Sequence, residues 1–172
     1  MTQELELDCL DQLEATTAIL RGLMCDMSVE DTEWKPAPDR FSVAEVLAHL
    51  SHSEADCYRA RVDRFMSELL PEFESDDAAM YLELYRNANA EDALCHFEKQ
   101  RAANVEYLRT LPRSAGERRA RHKEAGEINL QQMLHEWTMH DLGHIRQIAE
   151  LVRARKHLRA AGKLGDSYSL KP

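Results

Sequence analysis

Residues 129–148 read NLQQMLHEWTMHDLGHIRQI, a stretch that predicts a helix with one apolar face. Asn129 and Gln132 have the spacing of a capping box, in which each side chain bonds the backbone N–H of the other residue. Successive helical residues turn by about 100°. At that angle eight apolar residues lie in one stripe along the helix: Leu130, Met133, Leu134, Trp137, Ile145, Ile148, Leu151 and Val152. We expect a long amphipathic helix over residues 129–158.

The three histidines of this stretch fall on different faces of the predicted helix. His140 and His144 lie in the apolar stripe, together with Asp141, whereas His135 lies on the far side and is expected at the surface. An i, i+4 pair has Cβ atoms about 6 Å apart, so both imidazoles can reach one cation. Neutral histidine is a common ligand of zinc, nickel and iron. The alternative is two core histidines that hydrogen-bond to backbone or side chains.

A second helix is predicted to start within residues 40–56, RFSVAEVLAHLSHSEAD. Ser42 and Glu45 form another predicted capping box, and a hydrophobic staple brackets it. His49 lies at the edge of this helix's apolar stripe, where it can turn into a cleft, while His52 points to the opposite side. His49 is therefore the better candidate for a third metal ligand.

Glu54 lies near the centre of the same apolar stripe, an unusual place for a carboxylate. Buried acids are rarely left without a partner. We expect Glu54 either to reach solvent or to bond a ligand histidine, an arginine or a bound water. It is a candidate for orienting a metal ligand or moving a proton.

The rest of the chain extends this pattern to four long helices, over residues 3–27, 42–70, 90–110 and 129–158, with a short helical piece at 79–85. Prolines close the first three helices. A basic, glycine-containing loop precedes the fourth helix.

The chain has 172 residues and no repeat or long linker. We therefore expect one all-α domain, a four-helix bundle over residues 1–160, with a loosely ordered tail over 161–172. An up-down-down-up order is compatible with the long middle connections.

Charge and cysteine content narrow the possible partners. The chain has 31 acidic and 22 basic residues, giving a formal net charge of −9. This charge argues against a nucleic acid or an anionic membrane as partner. No apolar run approaches the roughly 20 residues of a membrane span, and the N-terminus has no signal-peptide pattern. The four cysteines form no C-x-x-C pair, so we expect reduced core or near-core thiols in a cytoplasmic protein.

Common catalytic motifs are missing from the sequence. The H-E-x-x-H motif of zinc proteases is not matched, because Asp141 stands where the motif has glutamate. No glycine-rich phosphate loop or G-x-S-x-G elbow can be identified either. A protease is therefore disfavoured.

Four segments together resemble the DinB-like superfamily, which includes thiol-dependent S-transferases. These segments are a Trp-x-Pro at Trp34, the stretch RFSVAEVLAHLSHSE, an RxxHxxxG loop that starts at Arg119, and NLQQMLHEWTMHDLGHIRQI. The resemblance implies an up-down-down-up four-helix bundle, frequently dimeric, with one divalent metal held by three histidines. Matched residue by residue, the ligands are His49, His140 and His144. The resemblance implies nickel or zinc, with iron or manganese as alternatives.

Three protein ligands leave at least one coordination position open, which is typical of a catalytic site. We therefore expect a metal-dependent enzyme in which a thiolate or hydroxide on the metal attacks a small electrophilic substrate, as in thiol S-transferases. Glu54 and Asp141 are candidates for orienting ligands or moving protons; Asp141 has the alternative of pairing with Arg146 or a loop arginine. Arg119 and Arg121 are candidates for contacting an anionic low-molecular-weight thiol.

Two other functions stay open at this point. One is a non-catalytic metal- or ligand-binding bundle associated with stress, and the other is a metal-dependent hydrolase. A DNA-binding role is suggested only by the family's name, and the negative charge argues against it. Trp34 is expected to pack in the core. Met139 and Leu142, on the outward face of the fourth helix, suit the interface of a homodimer.

Overall fold

Four long helical segments dominate the computed structural model, which describes residues 8–74 and 83–168. The first is α1 (Asp8–Leu23), followed by the short α2 (Val29–Glu33). The second segment is continuous and consists of α3 (Val43–His52), a π-helical stretch (Ser53–Arg59) and α4 (Ala60–Ser67). The third and fourth are α5 (Ala90–Thr110) and α6 (Leu130–Val152). No described helix is both long and apolar enough to span a membrane.

The predicted starts of the second and fourth helices are confirmed by their hydrogen bonds. The Ser42 hydroxyl accepts from the backbone N–H of Glu45, and the Glu45 carboxylate accepts from that of Ser42. Asn129 and Gln132 form the same reciprocal pair at the start of α6. These caps satisfy backbone donors that the helices themselves leave unpaired.

Helix ends were predicted less accurately than helix starts. The first helix ends at Leu23 and not at residue 27, and Asp26 has a left-handed backbone with φ of 61°. Residues 3–7 of that predicted helix, and residues 79–82 of the short predicted piece, lie outside the described residues. The α6 helix passes at its end into a second π-helical stretch (Arg153–His157). Within the predicted tail, residues 162–167 form a short 3-10 helix in which Gly165 packs closely on Leu158.

The direction of the four helical segments follows from the contacts at their ends. Arg21 near the end of α1 pairs with Glu91 at the start of α5, so α1 and α5 are antiparallel. The α3 helix runs parallel to α5, because Ser51 bonds Gln100 and, further along both segments, Arg59 bonds Asn104. Residues from the first half of α1 share a core cluster with residues from the first half of α6, and residues from their second halves share the other cluster. These two helices are therefore parallel. The order is therefore up-down-down-up, as predicted.

A small sheet covers one end of the bundle, where the sequence predicted only a loop. Strands β2 (Arg119–His122) and β3 (Gly126–Asn129) form an antiparallel hairpin, and β1 (Glu72–Phe73) joins β2 in parallel. Ala120 is fully buried between two exposed arginines, as the two-residue repeat of a strand requires. Gly126 has φ of 77°, which glycine adopts without a steric cost. Two four-residue strands, RARH and GEIN, give too weak an apolar alternation to be recognised.

The apolar core is split into two clusters by a layer of buried polar side chains. One cluster packs Leu13, Tyr58, Val105 and Trp137 with their neighbours, and the other packs Leu20, Leu50, Phe97 and Ile148 with theirs. Each long helical segment contributes a polar residue between its residues in the two clusters. These polar residues are Thr16, Glu54, Arg101, Asn104 and Asp141.

Arg101 lies at the centre of this polar layer and is 1% exposed. Its Nε and Nη2 donate to the two carboxylate oxygens of Glu54, at 2.9 and 2.8 Å. Its Nη1 donates to Asp141 Oδ2 at 2.6 Å and to the carbonyl oxygen of Leu13 at 2.7 Å. The guanidinium also lies over the ring of Phe97, 4.7 Å from its centroid. One side chain thus joins all four long helical segments.

Two further hydrogen bonds complete the polar layer. Asn104 Nδ2 donates to Glu54 Oε1 at 3.0 Å, and the Thr16 hydroxyl donates to Asp141 Oδ2 at 3.0 Å. Burial of paired charges is tolerated when their hydrogen bonds are satisfied, and removing one partner is then strongly destabilising. Of the partners considered for Glu54 from the sequence, the structure shows an arginine, Arg101.

Replacing Arg101 with methionine is expected to lower the free energy of unfolding by about 3–5 kcal/mol, because Glu54 and Asp141 would be left as uncompensated buried charges. The matched control is Arg109→Met on the same helix. Arg109 is exposed and pairs with Asp11 and Glu14 at the surface, so its loss should lower the free energy of unfolding far less than the loss of Arg101. Urea denaturation followed by circular dichroism measures both. Equal costs for the two variants would contradict a structural role for the buried layer.

Candidate metal centre

The structure brings the three predicted histidines together between α3 and α6. His49 comes from the last turn of α3, and His140 and His144 come from the middle of α6. Their ring centroids are 4.5–5.2 Å apart. One ring nitrogen of each histidine lies within 4.8 Å of the corresponding nitrogens of the other two. The three side chains therefore converge as a common ligand set would; their role as metal ligands stays a prediction.

The chemistry of this group fits a divalent cation. His49 Nε2 and His140 Nε2 face each other at 3.1 Å, so a proton or a cation must lie between the two lone pairs. Burial, together with the neighbouring imidazole of His140, lowers the pKa of His144 to about 4. His144 is consequently neutral near pH 7. A neutral imidazole has the free lone pair that a transition metal requires.

Neighbouring polar side chains lie behind two of the rings. His144 Nδ1 lies 2.9 Å from Gln147 Oε1. Because an amide oxygen accepts, Nδ1 carries the proton and Nε2 keeps its lone pair. His140 Nδ1 lies 3.9 Å from Asp141 Oδ1, and neither atom has a hydrogen-bond partner among the described residues. A carboxylate behind a histidine is common in metal sites.

The buried polar layer adds negative charge next to the histidines. Glu54 and Asp141 are two carboxylates against the single guanidinium of Arg101. Burial tends to raise the pKa of Asp141, but contacts with His140, Arg101 and Thr16 outweigh it, and the pKa lies below its ordinary value. Burial raises the pKa of Glu54, against the opposing contacts of Arg101 and Asn104. An ionised Asp141 favours a cation at the histidines.

A cavity of about 740 Å³ lies against the three histidines. Its other walls come from the π-helical stretch, the start of α6 and the β2–β3 hairpin. Its lining includes His49, Tyr58, Arg61, His122, Glu127 and Glu136. The histidines thus have buried side chains behind them and an open cavity in front of them.

The π-helical stretch explains how one helical segment serves both the core and the cavity. One series of side chains is buried at intervals of four, namely Leu50, Glu54, Tyr58 and Val62. The adjacent series lines the cavity, namely His49, Ser53, Cys57 and Arg61. In an α-helix every fourth residue drifts by about 40° around the axis, since a turn takes 3.6 residues. A wider π turn reduces that drift.

The two carboxylates predicted as site residues lie away from the cavity wall. Glu54 and Asp141 are buried behind the histidines, where Arg101 binds both. Neither carboxylate lines the cavity, so the structure gives them no contact with a substrate there. Their contribution to the candidate site is charge and support from behind.

The two arginines predicted as contacts for an anionic thiol also lie away from the cavity. Side chains alternate along a strand, so Ala120 is buried while its neighbours Arg119 and Arg121 are exposed. Arg119 pairs with Glu127 at 2.6 Å across the hairpin. Of the basic residues on β2, the one that lines the cavity is His122.

Sequence reasoning missed Arg101, Tyr58 and Glu136. Arg101 was recognisable in principle, because it lies on the same helical stripe of α5 as Leu94, Phe97 and Leu108. The cavity residues gave no comparable signal, since the hairpin that faces them was not predicted.

Other predicted positions can be compared directly with the structure. His135 is exposed, as expected, and Trp34 is half-buried against the second apolar cluster. The four cysteines all belong to the described residues, and no disulfide joins them there, but Cys25 is exposed and not near-core. Met139 and Leu142 are exposed on α6, at 71% and 45%; the dimer inferred from them stays a prediction.

Comparisons with known proteins agree with this architecture. The structure of YfiT from Bacillus subtilis, described as "a probable metal-dependent hydrolase with an unusual four-helix bundle topology", matches with a TM-score of 0.76. The match covers 85% of each chain at 23% sequence identity, and at that identity it shows the fold alone. No curated protein matches the chain significantly by sequence. The family model of the DinB superfamily matches residues 12–148. The chain therefore belongs to the DinB superfamily.

Proposed function

We propose that this protein is a divalent-metal-dependent enzyme that promotes attack of water or a small thiol on a small electrophilic substrate. The observation that carries the proposal is the convergence of His49, His140 and His144 at the wall of a cavity of about 740 Å³. Three protein ligands leave a coordination position open, which is typical of catalytic metal sites. The cavity is within the size range of small-molecule sites.

The residues of the chain have distinct tasks in this proposal. His49, His140 and His144 would hold the cation. The side-chain oxygen of Gln147 accepts a hydrogen bond from His144 Nδ1 and thereby fixes that ring. Asp141 stands behind His140 and adds negative charge. A bound divalent cation would supply Lewis acidity, which lowers the pKa of a water or thiol. Nickel and zinc are the cations we propose, because imidazole suits both.

Two nucleophiles remain to be distinguished by experiment. Hydrolysis is favoured by the description of YfiT, which has the same fold. Thiol transfer is favoured by the resemblance of the sequence motifs to thiol-dependent S-transferases. The cavity volume is sufficient for a small thiol next to an electrophile. We propose a small-molecule substrate in either case, and a homodimer that uses the exposed Met139 and Leu142.

The double variant His140→Ala/His144→Ala is expected to lose bound metal, because only one ligand remains. The control is His135→Ala, which removes an exposed histidine from the same helix and should leave the metal content unchanged. Elemental analysis of the purified proteins measures the metal, with circular dichroism to verify folding. Full metal content in the folded double variant would contradict the site.

Activity is expected to depend on the metal. The zinc-loaded protein should cleave 4-nitrophenyl acetate in water, or transfer its acyl group to 2-mercaptoethanol, and chelation should abolish the reaction. Absorbance at the 4-nitrophenolate band gives the rate, and mass spectrometry identifies the acyl acceptor. Acceleration only with the thiol would favour a transferase. A metal-loaded protein without either reaction would favour a binding role.

A further inference from the structure

Glu136 is a carboxylate in the cavity wall that belongs neither to the buried polar layer nor to the histidine group. It lies on α6 one helical turn before His140, and both residues line the cavity. Side chains four apart on a helix have Cβ atoms about 6 Å apart. Glu136 is therefore an exposed residue one helical turn from the histidine group.

Tyr58 holds Glu136 in place from the π-helical stretch. Its hydroxyl donates to Glu136 Oε1 at 3.2 Å. The ring of Tyr58 stacks on Trp137 with centroids 4.6 Å apart and planes 5° from parallel, and it contacts His140 edge-on at 5.4 Å. Burial and the charge of Glu136 raise the pKa of Tyr58. Tyr58 consequently keeps its proton and acts as a fixed donor to one carboxylate oxygen.

Glu136 differs from the other carboxylates near the cavity in its partners. Among residues 8–74 and 83–168, no lysine or arginine forms an ion pair with it, whereas Glu127 pairs with Arg119 at 2.6 Å. Glu54 and Asp141 are paired with Arg101. A carboxylate that meets a neutral donor in a cavity can accept a proton without breaking an ion pair.

We infer that Glu136 is the proton acceptor for the nucleophile in the cavity, with Tyr58 as its positioning residue. This inference rests on the proposed function. A water O–H or a thiol S–H gives its proton to Glu136, while its lone pair forms the bond to the electrophilic carbon. The leaving group departs with the electron pair of the broken bond. The proton on Glu136 then passes to the leaving group or to solvent.

Several charged or titratable groups line the same cavity as Glu136 and contribute to any pH dependence. They come from α3, the π-helical stretch, α4, the hairpin and α6: His49, Cys57, Tyr58, Arg61, His122, Glu127, His140 and His144. A matched control must therefore remove a carboxylate from the same cavity without removing the proposed acceptor. Glu127 provides it, since Glu127 lines the cavity and is already paired.

The test compares zinc-loaded wild type, Glu136→Gln and Glu127→Gln. Stopped-flow mixing of each zinc-loaded protein with 2-mercaptoethanol and a pH indicator gives the rate at which the bound thiol loses its proton. Glu136→Gln should lower that rate relative to wild type, because the thiol proton has no acceptor in the cavity, and Glu127→Gln should lower it less. If 4-nitrophenyl acetate is cleaved, Glu136→Gln should lower kcat/KM by roughly 10²- to 10⁴-fold.

Tyr58→Phe tests the positioning role, because it removes the hydroxyl and leaves the aromatic ring. We expect kcat to fall while KM stays nearly unchanged, since the carboxylate is no longer held in place beside the nucleophile. The loss in kcat/KM should be smaller than for Glu136→Gln. An unchanged kcat in Tyr58→Phe would overturn the positioning role.

Failure of this inference can be separated from failure of the proposed function. Wild type that retains no metal overturns the proposed function. Metal-loaded wild type that binds the thiol or cleaves the ester, with Glu136→Gln equal to Glu127→Gln in both measurements, overturns the inference alone. If metal-loaded wild type neither binds the thiol nor cleaves the ester, the proposed function and this inference are both overturned.

Discussion

The arrangement of the four helical segments depends on the ion pairs and hydrogen bonds of the Arg101 guanidinium. This guanidinium donates to Glu54, Asp141 and the backbone of Leu13, and thus joins α5 to the π-helical stretch, α6 and α1. A buried ion pair offsets the cost of its desolvation only when its geometry is good and its hydrogen bonds are satisfied. The polar layer therefore fixes the register of the helices where the two apolar clusters meet.

That register determines the geometry of the histidines. Asp141 belongs both to the polar layer and to the helical turn that follows His140, so the position of Arg101 is transmitted to a candidate metal ligand. His49 is positioned on the opposite helix by the same layer, through Glu54. The three imidazoles consequently lie on rigid helices and not on loops. A site held in this way loses little entropy when a cation binds.

The caps of two helices and the pairing of His140 with His144 could be predicted from the sequence, and the reason is local, whereas His49 was found from its place on a helical stripe and from the family resemblance. Capping boxes at Ser42 and Asn129, and the i, i+4 spacing of His140 and His144, are determined within a few residues of chain. The partner of Glu54 was not predictable in the same way. It depends on a contact across 47 residues, and several arginines were available. The hairpin was missed because its short strands have little apolar alternation.

The carboxylates of this protein show why burial alone is a poor guide to chemistry. Glu54 and Asp141 are deeply buried, and from the sequence they were the natural candidates for moving protons. Arg101 binds both oxygens of Glu54 and Oδ2 of Asp141. A proton on either carboxylate would therefore weaken an ion pair in the interior. Within the described part of the chain, Glu136 meets only a neutral donor, Tyr58, and can change its charge without breaking an ion pair. The kind of partner, more than the degree of burial, identifies the carboxylate that is available to react.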